Sequence, residues 1–105
     1  MSEDGTPMAE INFNYRKVID NVTLNPNDDI VLVDGSDVVT LTLPLTLNRR
    51  DKTNFLNIKN ASSLYPVILL TKDESDSFYN GGRRFILYPT KSAQLYSAAG
   101  FWIQF

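Results

Sequence analysis

The chain has 105 residues, a formal charge of −2, and neither cysteine nor histidine. Without cysteine there is no disulfide or zinc–thiolate site, and without histidine there is no imidazole base for a Ser-His-Asp triad. The net negative charge argues against bulk electrostatic binding to nucleic acid. No apolar run approaches the length of a membrane helix, and the acidic start is unlike a signal peptide. We therefore expect a soluble protein that is not exported by the usual route and that binds neither nucleic acid nor membrane.

The amino-terminal residues are polar and predict a free arm, because they bury too little apolar area to offset the entropy of ordering. Ile11, Phe13 and Tyr15 then alternate with polar residues, which places three large apolar groups on one face of a strand. This strand either adds to the sheet edge of a partner or is the first strand of the domain's own sheet. We predict that Ile11, Phe13 and Tyr15 contact a partner.

The chain is accordingly divided into an N-terminal arm or anchoring strand, residues 1–18, and a β-domain, residues 19–105. Within the β-domain, residues 30–33 are all apolar and predict a strand covered on both faces, between turn clusters at 25–29 and 34–37. The next strand, residues 39–43, alternates apolar residues with threonines. It therefore has one buried face and one polar face, and Pro44 ends its ladder.

Residues 46–54 are polar and include the basic cluster Arg49-Arg50-Asp51-Lys52. A solvated loop is the simplest interpretation, and a short helical turn is an alternative. Arg49 and Arg50 are the candidates in this loop for contact with an acidic neighbouring subunit. Two further β-prone segments follow, at residues 55–60 and 64–70.

The last third of the chain predicts two consecutive β-hairpins. The first joins residues 77–79 to residues 83–88 through Asn80-Gly81-Gly82, since Asn-Gly and Gly-Gly supply the positive φ angles of hairpin turns. The second joins residues 94–96 to a terminal aromatic strand, which can be ordered only by pairing with other strands. In that strand Trp102, Phe101 and Phe105 are predicted to lie in the core or in an assembly contact.

About eight short strands at spacings of 8 to 12 residues are typical of an all-β fold. We predict an antiparallel β-sandwich or barrel-like domain, with an intertwined β-prism as an alternative. Such a small domain leaves strand edges and aromatic side chains exposed, which favours a homo-oligomer.

Candidate chemistry is weak throughout the chain. Asp28, Asp29, Asp34 and Asp37 could donate oxygens to calcium, but turns are rich in Asp and no EF-hand spacing is present. A glycosidase needs two carboxylates held across a cleft, which a domain of this size hardly offers. We expect no catalytic residues, no cofactor and no metal. Four tyrosines either form a sugar-stacking surface or serve as core or subunit contacts; they are Tyr65, Tyr79, Tyr88 and Tyr96.

The order of these motifs resembles a β-domain of tailed-bacteriophage virion structural proteins. The matching motifs are Asp29-Ile-Val-Leu-Val-Asp34, Val39-Thr-Leu-Thr-Leu-Pro44, Phe55-Leu-Asn-Ile-Lys-Asn60, Pro66-Val-Ile-Leu-Leu, Gly81-Gly82, and a Leu95-Tyr96, Gly100 and Trp102 ending. The resemblance implies a non-enzymatic virion protein, made in the host cytoplasm and usually threefold. Its partner would be the major capsid protein or another virion protein.

In that family the domain occurs in capsid decorations and head fibres, and also in receptor-binding tips of tail fibres or baseplates. A tip usually ends a longer chain that carries a shaft, whereas this sequence begins with its own Met and has no heptads or collagen repeat. We therefore expect a capsid decoration or head-fibre protein attached through its N-terminal segment. The alternative is a carbohydrate-recognition tip with a surface glycan as its partner.

Overall fold

The computed structural model describes residues 14–49 and 54–105, and in this part of the chain the fold is all-β, as predicted. Ten strands form two sheets. Sheet A has the order β1-β3-β5-β9-β10-β7, and sheet B has the order β2-β4-β6-β8. The strands are β1 (Tyr15–Val18), β2 (Val22–Thr23), β3 (Ile30–Val33), β4 (Val39–Thr42), β5 (Leu56–Asn60), β6 (Val67–Leu70), β7 (Ser77–Phe78), β8 (Arg84–Leu87), β9 (Ser92–Ala98) and β10 (Phe101–Gln104); a 3₁₀ helix spans Thr46–Arg49.

The first six strands alternate between the two sheets. Strands β1, β3 and β5 lie side by side in sheet A and pair in parallel, and β2, β4 and β6 do the same in sheet B. Each turn crosses from one sheet to the other, so consecutive strands never pair. The chain thus coils three times around a shared interior. Two parallel neighbours in one sheet are connected by a strand of the other sheet and by the turns before and after that strand.

The predicted antiparallel sandwich is therefore wrong in its pairing. Five of the eight strand pairings among the described residues are parallel, and antiparallel pairing is confined to β5 with β9, β6 with β8, and β9 with β10. The physical reason is that a short polar turn can either reverse the chain within a sheet or carry it across to a facing sheet. Turn residues alone do not distinguish these two outcomes.

The two predicted hairpins have different outcomes. The second is confirmed: β9 and β10 pair antiparallel, and the turn places Gly100 at a φ of 82°. The first is wrong as a hairpin. Its turn forms, with Gly81 and Gly82 at positive φ and a hydrogen bond of 2.9 Å from the Phe78 N–H to the Gly82 carbonyl, but β7 then joins sheet A and β8 joins sheet B. This turn connects the two layers.

The core lies between the sheets and consists of the inward residues of each strand. Trp102, expected in the core, is fully buried, as are Leu41, Leu56 and Leu95. The predicted burial of β3 on both faces is wrong, because Ile30 on its outer face is exposed. Sheet A has no layer over its outer side in the described residues. The buried apolar side chains are Val18, Leu24, Val31, Val33, Val39, Leu41, Leu43, Leu56, Ile58, Val67, Leu69, Phe78, Leu87, Ala93, Leu95 and Trp102.

Candidate functional site

Of the residues predicted to bind a partner, the structure describes two, Tyr15 and Arg49, and they do not share a surface. Tyr15 lies on the outer face of edge strand β1 and is exposed, whereas Arg49 is buried at the end of the 3₁₀ helix. Ile11, Phe13 and Arg50 lie outside the described residues. Arg49 is therefore removed from the set of surface contacts.

Arg49 is only 1% exposed, so the predicted solvated loop is wrong at this position. Its Nη1 donates to the carbonyls of Pro26 and Asp28, both at 2.8 Å, and its Nη2 donates to the carbonyl of Asn54 at 3.3 Å. Its guanidinium carbon lies 5.9 Å from the centre of the Trp102 ring, within the range of a cation–π contact. One side chain thus joins the turn that precedes β3 and the segment that precedes β5 to the aromatic ring of Trp102.

The charge of Arg49 is balanced by the turn that precedes β3. Burial lowers the pKa of the guanidinium by removing it from water, and the neighbouring carboxylates of Asp29 and Asp28 act in the opposite direction. Arginine nonetheless stays protonated in proteins, so a buried cation is held here at neutral pH. This arrangement explains why a basic residue in a polar stretch lies inside the fold.

The carboxylates of this turn are engaged in hydrogen bonds. Asp28 accepts from the Asn25 N–H at 2.7 Å and forms a salt bridge of 2.9 Å with Arg16. Asp29 accepts from the Asn14 N–H at 3.0 Å and from Asn54 Nδ2 at 2.8 Å. The bond between Asp28 and the Asn25 N–H is the local turn bonding for which Asp is preferred, whereas the bonds of Asp29 reach distant segments. They attach the start of β1 to the start of β3.

A second buried carboxylate organises the loop before β7. Asp76 accepts from the Thr46 N–H at 2.9 Å and from its hydroxyl at 2.8 Å, so it caps the 3₁₀ helix. The Thr46 hydroxyl in turn accepts from the Gly100 N–H at 3.0 Å. Across the described ranges 14–49 and 54–105, no three carboxylates lie close enough together to hold a metal ion.

One surface differs from the rest of the described molecule, and we call it the aromatic face. It lies on the outer side of sheet A and consists of Phe55, Tyr79, Tyr96, Phe101, Ile103 and Phe105. Phe55 contacts the rings of both Tyr96 and Phe105 edge-on, with centres 6.0 and 5.4 Å apart. Tyr79 contacts Phe101 in the same manner at 6.2 Å, and Ile103 pairs with Tyr96 in the register of β9 and β10.

A groove continues from the aromatic face at the turn between β9 and β10. It has a volume of about 430 Å³, and its lining includes Leu47, Tyr96 and the small residues Ser97, Ala98, Ala99 and Gly100. A separate cleft of about 120 Å³ opens where β7 and β8 diverge, beside Phe78 and Trp102. The cleft is well below the 300–1,000 Å³ that small-molecule sites usually have.

Sequence reasoning found part of the aromatic face. Phe101 and Phe105 were predicted as core or assembly residues, and both are exposed. Of the four tyrosines, Tyr79 and Tyr96 belong to the aromatic face, while Tyr88 is exposed at the opposite end of the strands and Tyr65 is half-buried. Phe55 was missed, because only the pairing of β5 with β9 brings it to Tyr96.

Comparison with known proteins does not assign the chain to a family: no protein-family model matches the sequence, and no curated protein matches it either. No helix in the described residues is long and apolar enough to span a membrane.

Proposed function

We propose that this protein is a non-enzymatic structural component of a tailed-bacteriophage virion, a capsid decoration or head-fibre protein. It attaches to the shell through its N-terminal segment and acts there as a homo-oligomer, in the threefold form that the resembling domains have. The partner is the major capsid protein or another virion protein. The proposal is supported by the motif resemblance, by the all-β fold, and by one observation on the N-terminal strand.

That observation is the position of β1 at the edge of sheet A. Its one partner among the described residues is β3, so β1 continues the N-terminal segment into the domain at a sheet edge. The alternating apolar residues Ile11 and Phe13 immediately precede this edge. A segment of this pattern can add to a sheet edge of a capsid protein while the domain remains folded.

The non-enzymatic part of the proposal is supported by the state of the carboxylates. Asp28, Asp29 and Asp76 each accept hydrogen bonds from neighbouring backbone or side-chain groups within the fold. These contacts hold turns and the 3₁₀ helix in place. Groups fixed in this way are suited to a structural role.

The test is a deletion of residues 1–13, which leaves every described strand intact. We expect the protein of residues 14–105 to melt like the full chain but to lose binding to virus particles assembled without this protein, measured by co-sedimentation. The double variant Ile11→Lys with Phe13→Lys should lose binding in the same way, whereas Asn12→Lys, which leaves both apolar residues in place, should retain it. Undiminished binding by residues 14–105 would refute attachment through this segment.

A second function, a carbohydrate-recognition tip of a tail fibre or baseplate, is favoured by the exposure of Tyr79 and Tyr96 on one face. Tyrosine rings can stack on sugar rings while their hydroxyls stay in water. Binding of the purified protein to host surface glycans, lost in Tyr79→Ala and retained in Tyr88→Ala, would support the tip. Failure to bind glycans together with binding to particles would support decoration.

A further inference from the structure

We propose that the aromatic face is the surface through which copies of this chain assemble, so its occupant is a second copy of the same face and groove. The inference rests on the homo-oligomer of the proposed function and names the surface that forms it. It is carried by the composition of the aromatic face, by its area, by the adjoining groove and by the geometry of its rings.

The composition of the aromatic face is that of an interface centre. Aromatic residues are enriched and charged residues are depleted at the centres of protein interfaces. The outer side of sheet A has two charged strand residues, Lys17 of β1 and Lys59 of β5. They lie in one row of the register, on either side of Leu32 of β3. The other half of this outer side, where β9 and β10 lie, carries the aromatic residues and no charged strand residue.

The exposed area is sufficient for one side of an interface. Tyr79, Tyr96, Phe101 and Phe105 are 72%, 37%, 45% and 66% exposed. At about 200 Å² for an aromatic side chain, they present roughly 400 Å² of surface. A standard interface buries about 800 Å² on each partner, of which roughly 60% is apolar, so one side contributes roughly 500 Å² of apolar surface. Phe55 and Ile103, which are half-buried, supply further apolar area.

The groove makes this surface complementary to itself. It lies beside the protruding rings and is lined at its turn by small residues, so an aromatic side chain of a second copy can enter it. When the rings of one copy enter the groove of the next copy, the contact is heterologous, and such contacts can close into a ring, as the threefold form requires. The groove also contains exposed Leu47, which extends the apolar contact.

Ring geometry distinguishes a second copy from a sugar. A sugar ring stacks on the flat face of an aromatic ring, and several coplanar rings would make a platform for a chain of sugars. Here the rings of Phe55, Tyr96 and Phe105 meet at 68° and 73°, and those of Tyr79 and Phe101 meet at 76°. Edge-on packing of this kind is the arrangement of an apolar cluster, and none of these three ring pairs forms a coplanar platform.

The experiment measures the mass of the purified full-length chain by sedimentation equilibrium at micromolar concentration. We expect the parent to have a multiple of 11.9 kDa. The double variant Phe101→Lys with Phe105→Lys should sediment as a monomer. The independent variant Ala99→Trp, which fills the groove and leaves the rings in place, should do the same. The matched control variants Leu64→Lys and Tyr88→Lys, made singly and combined so that two lysines are again added, lie at exposed residues away from the aromatic face and should retain the parent mass.

Thermal melting and far-UV circular dichroism establish that each variant is folded. If the double variant does not fold, Tyr79→Lys replaces it, because Tyr79 is the most exposed ring of the aromatic face. A monomeric parent would overturn the inference, as would an oligomer that survives both the lysine and the groove variants or one that the controls dissociate equally. A monomeric parent that binds glycans through these rings would overturn it in favour of the tip.

Failure of this inference is distinguishable from failure of the proposed function. A monomer that binds virus particles through residues 1–13 overturns the assembly surface and the homo-oligomer but supports decoration. An oligomer that depends on the aromatic face but does not bind particles supports the assembly surface and refutes decoration.

Discussion

Replacing Arg49 with methionine removes a buried cation and keeps an apolar stem of similar length. The side chain of Arg49 donates three hydrogen bonds to carbonyls of Pro26, Asp28 and Asn54 and lies against the ring of Trp102. Methionine can maintain the apolar contact with the ring, but it donates no hydrogen bond. The substitution therefore isolates the polar contribution of the guanidinium.

The expected loss follows from the groups left behind. Hydrogen bonds from a charged donor contribute about 1.5–3 kcal/mol each, and removing one partner from a buried charge network costs about 3–5 kcal/mol. Two effects reduce the loss. The cost of burying the charged guanidinium disappears, and so does the cost of burying its Nε–H, which has no hydrogen-bond acceptor among the described residues. We expect Arg49→Met to lower the free energy of unfolding by about 3 kcal/mol.

Urea unfolding followed by far-UV circular dichroism measures this loss. The matched control is Arg84→Met, the same change at an exposed arginine of β8, which should alter the free energy of unfolding by less than about 0.5 kcal/mol. Arg49→Lys should recover only part of the loss, because an ammonium lacks the planar fork that reaches several carbonyls. Equal stability of Arg49→Met and Arg84→Met would show that Arg49 is solvated and would refute the reasoning.

Three further perturbations test other parts of the fold. Trp102→Ala should lower the free energy of unfolding by about 3–5 kcal/mol because it removes a fully buried indole. A melting temperature within a few degrees of the parent would show that Trp102 is a surface residue. Asn60→Ala should lower the free energy of unfolding in urea by about 2–4 kcal/mol, because the buried Asn60 amide donates to two carbonyls and accepts from one N–H. Asn60→Asp, whose carboxylate cannot donate, should be no more stable than Asn60→Ala. An Asp variant as stable as the parent would contradict this bonding. Asp73 accepts from the Ser75 hydroxyl and N–H, which hold its pKa below the usual range. Its stabilisation is therefore present above the unfolded-state pKa and is lost as the pH falls through the lower folded-state pKa. Asp73→Asn should accordingly show a shallower loss of stability on acidification than the parent, and identical pH profiles would contradict the prediction.

The sequence by itself determined the local features of this protein. The alternation at residues 39–43 predicts one buried face, and Val39, Leu41 and Leu43 are all buried. The turn of Gly81 and Gly82 and the hairpin closed at Gly100 were predictable because positive φ angles are a property of glycine itself. The burial of Trp102 was also expected, since an aromatic run that forms a strand must cover one of its faces.

Tertiary structure decided which strands meet and what lies between them. Parallel coiling of β1 to β6 depends on whether each turn stays in its sheet or crosses to the other, and the same polar residues serve both paths. Arg49 is polar in sequence and buried in the fold because residues far from it in the chain, Pro26 and Asp28, supply the acceptors. The aromatic face likewise forms only when β5 pairs with β9 and brings Phe55 to Tyr96. Burial and contact between distant residues are properties of the assembled sheets, and no local pattern of side chains encodes them.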